Sequence, residues 1–304
     1  MEHLQLAINE IRSRIPRLEL RLEEPMKNHC SFRIGGPAAA MALPGSQEET
    51  EELCRLLRNM GIRPFIMGNG TNLLVTDGPL RRIVIKMGEK MGGINPRGET
   101  GLAAGCGATL ARLATVAQGM GLSGLEFAHG IPGTLGGAVV MNAGAYGGEM
   151  CNVVKTTTFL DEYLRVSRFA GQEHVFSYRH SAFSDRNCVI LSCDLELKRG
   201  DPREIRKCMR DLAERRRGSQ PLDMPSAGST FKRPERSYAA ALIDQAGLKG
   251  YTVGGAQVSE KHAGFVVNRG GASFEEVIRV MEHVRETVYK TAGIMLEPEI
   301  RIIT

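Results

Sequence analysis

The sequence predicts an α+β fold, on three observations. Apolar residues at helical spacing alternate with short β-type runs along the whole of its 304 residues. Several helical stretches carry their own start and stop signals. Glycine is abundant, at 36 residues, and gathers where one run passes into the next. A chain of this length has room for two or three domains, and helices mixed with strands throughout place it in the α+β or mixed α/β class.

Taken in order, residues 3–15 read as an amphipathic helix with Leu4, Ile8, Ile11 and Ile15 on one face, ended by Pro16. A short strand follows at 39–43. Ser46 and Glu49 form a capping box opening a helix to about residue 60, with Gly61 as its C-cap. An apolar run at 64–67 enters Gly68-Asn69-Gly70-Thr71-Asn72, and strands follow at 73–75 and 83–87. These form a first lobe, residues 1–80. A second lobe, 81–200, holds a strand at 101–104, a helix at 108–120 capped by Gly121, a glycine-rich segment, and strands at 152–160 and 188–198. In the last of these Val189, Leu191, Cys193, Leu195 and Leu197 share one face, and Ser192, Asp194, Glu196 and Lys198 the other. A third lobe, 201–304, starts with a basic helix at 202–217. A helix at 237–246 capped by Gly247 and a strand at 264–267 follow. A second capping box, Ser273 and Glu276, opens a helix with Val277, Val280, Met281, Val284 and Val288 on one stripe. A strand at 293–302 closes the chain, with Ile294, Leu296, Ile300 and Ile302 facing the core.

Composition narrows the function. Hydrophobic residues at 42% and charged residues at 24% are ordinary for a globular protein in water. Tryptophan is absent and aromatics are only 5%, which argues against stacking on single-stranded nucleic acid. The net charge is +5, densest at Arg215, Arg216 and Arg217, with Arg203, Arg206, Lys207 and Arg210 just before. That cluster is either a solvated helix face or a landing surface for an anionic substrate; no nucleic-acid recognition motif accompanies it. Seven scattered cysteines suggest reduced thiols in a cytoplasmic protein. The first residues lack a signal-peptide core, and no run of eighteen apolar residues exists, so neither secretion nor a membrane span is expected. The histidines show no metal-ligand spacing, and no metal site is expected.

The most informative stretch runs from His129 to Gly148, with seven glycines interleaved with Ile131, Leu135, Val139, Val140, Met141 and Tyr146. Glycine permits positive φ and close backbone approach. The segment is therefore either a buried glycine-rich turn or a chain folded tightly around a large ligand. Gly68–Asn72 is a second such place. A strand enters a Gly-x-Gly turn whose successive N–H groups form an anion-binding nest, with Thr71 and Asn72 adding donors. It matches neither a Walker A loop nor a Rossmann fingerprint. Ser229, between Gly228 and Thr230 and close to Lys232 and Arg233, is either a turn serine or a hydroxyl proton donor near an anion. In the closing strand Met295, Glu297, Glu299 and Arg301 share the face opposite the apolar one, as solvated surface or as the lining of a site. Arg179, between Tyr178 and His180, is either a surface arginine or a bidentate carboxylate binder.

Taken together, seven segments in order resemble one family. They are residues 28–36, 68–72, 130–147, 178–181, 228–234, 255–268 and 296–301. The chain resembles the UDP-N-acetylenolpyruvoylglucosamine reductases of bacterial peptidoglycan synthesis over about residues 25–304, in their short form. The resemblance implies a flavin-binding fold of the vanillyl-alcohol-oxidase type. Two lobes would bind FAD without a covalent link, and a C-terminal α+β lobe would bind substrate. It implies that NADPH, as co-substrate, reduces the FAD, and that hydride then passes to C3 of the enolpyruvyl ether of a UDP-sugar, with a proton to C2. The catalytic residues would be Arg179, Ser229 and Glu299. Arg33, Gly68, Asn69, Gly70, Thr71, Asn72, Gly130, Ile131, Pro132, Gly133, Thr134, Gly137 and Ala138 would hold FAD. Tyr178, Lys232 and Arg233 would contact substrate. The resemblance further implies a cytoplasmic monomer or weak oligomer with no nucleic-acid partner. Three departures stand out. Cys30 occupies a position more often Thr or Ser, Gly218-Ser219 replaces a lysine-bearing pair, and Ala239-Ala240-Ala241 is plainer than usual. The rival expectations are another FAD oxidoreductase of the same fold and a nucleotide-binding protein without catalysis.

Overall fold

A computed structural model describes residues 2–304; Met1, where the expected first lobe begins, lies outside them. Seven α-helices are described: α1 (Glu2–Arg14), α2 (Gln47–Asn59), α3 (Leu110–Gly119), α4 (Leu135–Val140), α5 (Pro202–Ser219), α6 (Ala239–Gln245) and α7 (Phe274–Ala292). The chain forms two compact units. The first comprises the residues up to Leu22, Ala39–Asn69 and Arg81–Arg215; the second comprises Glu23–Ala38, Gly70–Leu80 and Arg216–Thr304.

The first unit is built on two sheets. One has the strand order Glu19–Pro25, Pro37–Leu43, Leu80–Lys86, Phe65–Met67. The other is antiparallel throughout, in the order Val166–Ala170, Val154–Leu160, Val189–Glu196, Gly101–Gly105, Ile94–Arg97. Its central strand, Val189–Glu196, alternates as expected: Leu191, Cys193 and Leu195 are buried while Glu196 is exposed. On the polar face Asp194 accepts from Thr156 Oγ1 at 2.7 Å and is ion-paired with Arg97 and Arg168, which ties four strands by their side chains. The core gathers Ile8 and Ile11 of α1, Leu53 and Leu57 of α2, and Leu110 and Leu113 of α3 around the inner faces. Helix α1 buries Ile8 and Ile11 of the expected stripe together with Ala7, while Leu4 is half-buried and Ile15 is buried just past the helix end.

In the second unit a three-stranded antiparallel sheet, Thr252–Val253, Ala256–Val258 and Val266–Asn268, packs against α7. Val277, Val280, Met281, Val284 and Val288 of α7 are all buried. Its Ser273–Glu276 capping box is complete, and Gly293 ends it in the left-handed region at φ 68°. A parallel pair joins Leu73–Val75 to Arg301–Ile303.

Two local expectations are corrected. Ser46 caps α2 by accepting from Glu49 N at 3.2 Å, but the Glu49 carboxylate reaches back to Gly45 N at 2.7 Å, so the reciprocal half of the box falls one residue early. The closing strand is only Arg301–Ile303, the residues that pair with Leu73–Val75; residues 297–299 bridge instead to residues 230–232. The expected alternation is not kept: Leu296, Ile300 and Ile303 are buried, and Ile302 is 42% exposed. Helix α4 lies inside the glycine-rich segment, where local composition gives no helix signal.

Candidate functional site

Gly68, at the start of one glycine-rich place, meets Thr134 of the other inside the first unit. A Cβ on Gly68 would overlap the Thr134 hydroxyl and stand 3.2 Å from Thr134 Cβ, so only glycine lets the turn reach this point. Thr134 is the N-cap of α4 and is buried, yet its side chain makes no capping bond. Helix α4 forms because its neighbours supply partners. Leu135 N donates to Ala108 O at 2.8 Å and Gly136 N to Cys106 O at 2.8 Å. Gly136 is packed so tightly that a Cβ there would lie 3.0 Å from Cys106 Cβ. Burial pushes the Cys106 thiol up to about 12, so it serves as packing. The opposite side is open. Gly137 is exposed, with only Thr134 Oγ1 near its Cβ position, at 3.7 Å. Among the described residues the N–H groups of Gly133, Thr134 and Gly137 donate to no backbone carbonyl. Gly133 is held at φ 134°. The result is a run of backbone donors at a helix start, the arrangement that binds anions. Pro132 beside it is exposed, Gly130 and Ile131 are half-buried, and Ala138 is buried under the helix.

The same segment holds Arg179. Asn142, only 1% exposed, donates through Nδ2 to Glu149 Oε2 at 2.9 Å and to Ser177 O at 3.1 Å, and its Oδ1 accepts from Cys151 N at 2.9 Å. Ser181 and Ser184 hydroxyls both donate to Val140 O, at 2.8 and 2.9 Å. These bonds stitch the turn carrying Tyr178 and Arg179 to the end of α4. Arg179 Nη2 donates to Gly144 O at 3.2 Å, and its guanidinium lies 4.9 Å from the Tyr178 ring centre. Tyr146, at the tip of the same hairpin, carries Arg215 over its ring at 5.1 Å. Arg179, Tyr146 and Asn142 have φ of 55°, 54° and 39°, a region that non-glycine residues seldom occupy and that gathers at functional sites. Sequence reasoning missed Asn142, Ser177, Ser181 and Ser184 as the supports of this turn. The available signal was Asn142 itself, since asparagine tolerates the left-handed region better than other side chains.

The second unit runs the segments of Ser229 and Glu299 alongside each other, seventy residues apart in the chain. Phe231 bridges to Pro298 in antiparallel fashion, with Lys232 N donating to Glu297 O and Glu299 N to Thr230 O, both at 2.8 Å. Thr230 is buried and its hydroxyl accepts from Val266 N at 3.0 Å, which locks the strand onto the sheet. Ser229, next to it and half-buried, makes no side-chain hydrogen bond to another described residue. Gly228 before it turns at φ 80°. Asn72 holds the other side of Glu299: its Nδ2 donates to Glu299 O at 3.1 Å and its O accepts from Arg301 N at 2.9 Å.

The remaining expected residues fall as follows. Lys232 is ion-paired with Glu297, and Arg233 lies 4.1 Å over the exposed Tyr238 ring. Gly70, at φ 61°, accepts from Ser31 N at 3.1 Å. Arg33 is exposed at φ 56°. Gly68 and Asn69 belong to the first unit, and Gly70, Thr71 and Asn72 to the second. Among the described residues no group of three or more His, Cys, Asp or Glu side chains is placed to hold a metal ion. No described helix is long and apolar enough to cross a membrane.

Comparison with known proteins agrees on one family. Residues 38–163 match a model described as an FAD binding domain, and residues 220–303 match the C-terminal domain of UDP-N-acetylenolpyruvoylglucosamine reductase. The chain is 46% identical to the UDP-N-acetylenolpyruvoylglucosamine reductase of Caldanaerobacter subterraneus subsp. tengcongensis, covering 98% of each chain. It is 43% identical to that of Clostridioides difficile, covering 94% of this chain and 93% of the relative. Among solved structures, the crystal structure of the reductase from Thermus caldophilus superposes with a TM-score of 0.81 at 32% identity, covering 95% of this chain and 99% of that one.

Proposed function

This chain belongs to the UDP-N-acetylenolpyruvoylglucosamine reductase family and has its α+β FAD-binding fold. From that premise we propose that it reduces the enolpyruvyl ether of a UDP-sugar to UDP-N-acetylmuramate at the expense of NADPH. The residues fit FAD. The amides of Gly133, Thr134 and Gly137, which donate to no backbone carbonyl among the described residues, suit a pyrophosphate, and the exposed Gly137 leaves room for it. Gly68 to Asn72, Gly130 to Pro132 and Ala138 would complete the holding set with Arg33. When bound, FAD would supply the hydride chemistry between NADPH and C3 of the enol ether.

The protein's own part is charge and proton placement. Hydride addition at C3 drives negative charge toward the substrate carboxylate. Arg179 meets that charge with a guanidinium that already donates to Gly144 O, so little reorganisation is required. Ser229 delivers the proton to C2. A serine hydroxyl is a weak acid and donates only to a strongly basic enolate, which is the species this addition generates. Glu299 assists as a protonated acid or by orienting donors, since a bare carboxylate would repel the developing charge. Tyr178, Lys232 and Arg233 contact the substrate. The observation that supports this assignment of roles is the bridge between Phe231 and Pro298, which runs the segments of Ser229 and Glu299 side by side.

The test is direct. The purified protein should carry FAD and be yellow, and it should consume NADPH only when the enolpyruvyl UDP-sugar is present. A colourless protein that takes up no FAD would sink the assignment. NADPH oxidation indifferent to the sugar would favour an oxidase of the same fold.

A further inference from the structure

Residues 171–184, between the strands Val166–Ala170 and Val189–Glu196, carry Tyr178 and Arg179, yet only His174, Ser181 and Phe183 among them are buried. Ser181 is tied to α4 through Val140 O, and Phe183 packs edge-on to Phe159. His174, fully buried, is the anchor that reaches the sheet by hydrogen bonds. Its Nδ1 lies 3.0 Å from Gly171 O. A carbonyl only accepts, so Nδ1 carries the proton. Nε2 is therefore bare, and it accepts from Thr157 Oγ1 at 2.9 Å. The Thr157 hydroxyl, its proton committed, accepts in turn from Cys193 Sγ at 3.6 Å. Three groups on two strands and one turn thus agree on a single tautomer. Burial also lowers the imidazole pKa, which keeps the ring neutral as this chain of bonds requires.

The ring then sets the path of the turn. Phe176 stacks on it at 4.8 Å and 7°, where the turn begins, and Ala182 N donates to His174 O at 2.7 Å, where the turn returns. Between these points Ser177 and His180 exchange backbone bonds of 3.0 and 3.2 Å. Val175 is held at φ 47°, a genuine outlier for a β-branched residue, and Arg179 at φ 55°. Such conformations persist only where the surroundings over-determine them.

We propose that His174 is a positioning residue for Arg179: it clamps residues 171–184 to the sheet and so fixes where the guanidinium stands. The proposal rests on the role given above to Arg179. His174→Phe keeps an aromatic ring for Phe176 but removes both polar bonds. Thr157→Val removes one of them with little change of volume. Hydrogen exchange in the FAD-loaded protein should quicken at least about tenfold at residues 176–184 in both variants. Reoxidation of the reduced flavin by the enolpyruvyl sugar should slow roughly ten- to hundredfold, the scale on which a small misplacement acts. FAD affinity and the rate of flavin reduction by NADPH should stay within about twofold. His174→Asn, whose amide still donates to Gly171 O, should recover part of the loss. Wild-type exchange at 176–184 in both variants would overturn the proposal, as would equal loss in both half-reactions. Faster exchange with undiminished reoxidation would leave the clamp standing and overturn the role of Arg179 instead.

Discussion

Gly68 lies against Thr134 so closely that a Cβ on Gly68 would overlap the threonine hydroxyl. This single approach joins two glycine-rich places 66 residues apart in sequence. Gly68→Ala should therefore push the turn off the start of α4 and weaken FAD binding at least about tenfold, the order expected for forcing an extra carbon into a full site. Thr134→Gly in the same chain should restore much of the affinity by clearing the space. Titration of the apoprotein with FAD, followed by flavin fluorescence, measures both. Unaltered affinity in Gly68→Ala would show that FAD does not depend on this approach.

The features legible in the sequence are those written in local spacing. The stripe Val277 to Val288 and its cap, Ser273 with Glu276, lie within a few residues of one another, and both appear as expected. The alternation of Leu191, Cys193 and Leu195 is equally local. What stayed hidden depends on distant partners. Helix α4 contains two glycines and exists because Ala108 O and Cys106 O take its first amides. The closing segment reads as one long strand, but it bridges first to residues 230–232 and then pairs with Leu73–Val75, and Ile303 replaces Ile302 in the core. For the site, spacing left Ser229 and Glu299 open, and the family resemblance nominated them separately. That their segments run side by side comes from the bridge between Phe231 and Pro298, which no spacing rule encodes.

Ser229 sits beside Thr230, which is locked to Val266, and its side chain makes no hydrogen bond to another described residue. Ser229→Ala should leave the fold, FAD binding and flavin reduction by NADPH within about twofold. Reoxidation of the reduced flavin by the enolpyruvyl sugar should fall roughly 100- to 10,000-fold, the range for losing a positioned acid. Stopped-flow measurement of the two half-reactions separates the outcomes. Comparable loss in both would mean that Ser229 does not act as the proton donor.

Asn142 uses both donors and its acceptor, on Glu149, Ser177 and Cys151, from a buried position at φ 39°. Asn142→Ala strands three partners and also places alanine in the left-handed region. Stability should drop by about 2–4 kcal/mol, from the loss of three hydrogen bonds worth about 1 kcal/mol each and the added backbone strain. Asn142→Gly loses the same bonds but not the backbone preference, so it should be less damaging by about 0.5–1 kcal/mol. Urea denaturation of both variants tests the order. If glycine proves the worse substitution, backbone strain is not part of the cost.

Acid should act on two imidazoles, the buried His174 and the half-buried His262, before it reaches the carboxylates. Burial is the largest cause holding His174 and His262 below the ordinary value of 6.5. Both are fixed as bases: His174 Nε2 accepts from Thr157, and His262 Nδ1 accepts from Gly264 N at 3.2 Å. With the folded pKa below the unfolded one, the unfolded chain binds more protons between the two values. Stability therefore rises with pH in that window and is lost as pH falls below about 6.5, by at most about 1.4 kcal/mol per pH unit for each site. Asp194 responds later. Burial alone would raise its pKa, but the bonds from Thr156 and Arg97 and the charges of Arg97 and Arg168 hold it below 3.8. Its stabilising contribution is present above that value and is lost as pH falls through the depressed folded pKa. Thermal unfolding across pH 5 to 8 should thus show a falling Tm below about 6.5, with a shallower slope in His174→Phe than in the parent. An identical slope in the two proteins would mean that His174 takes up no proton on unfolding, and that its neutral state in the fold is not what makes the first unit sensitive to acid.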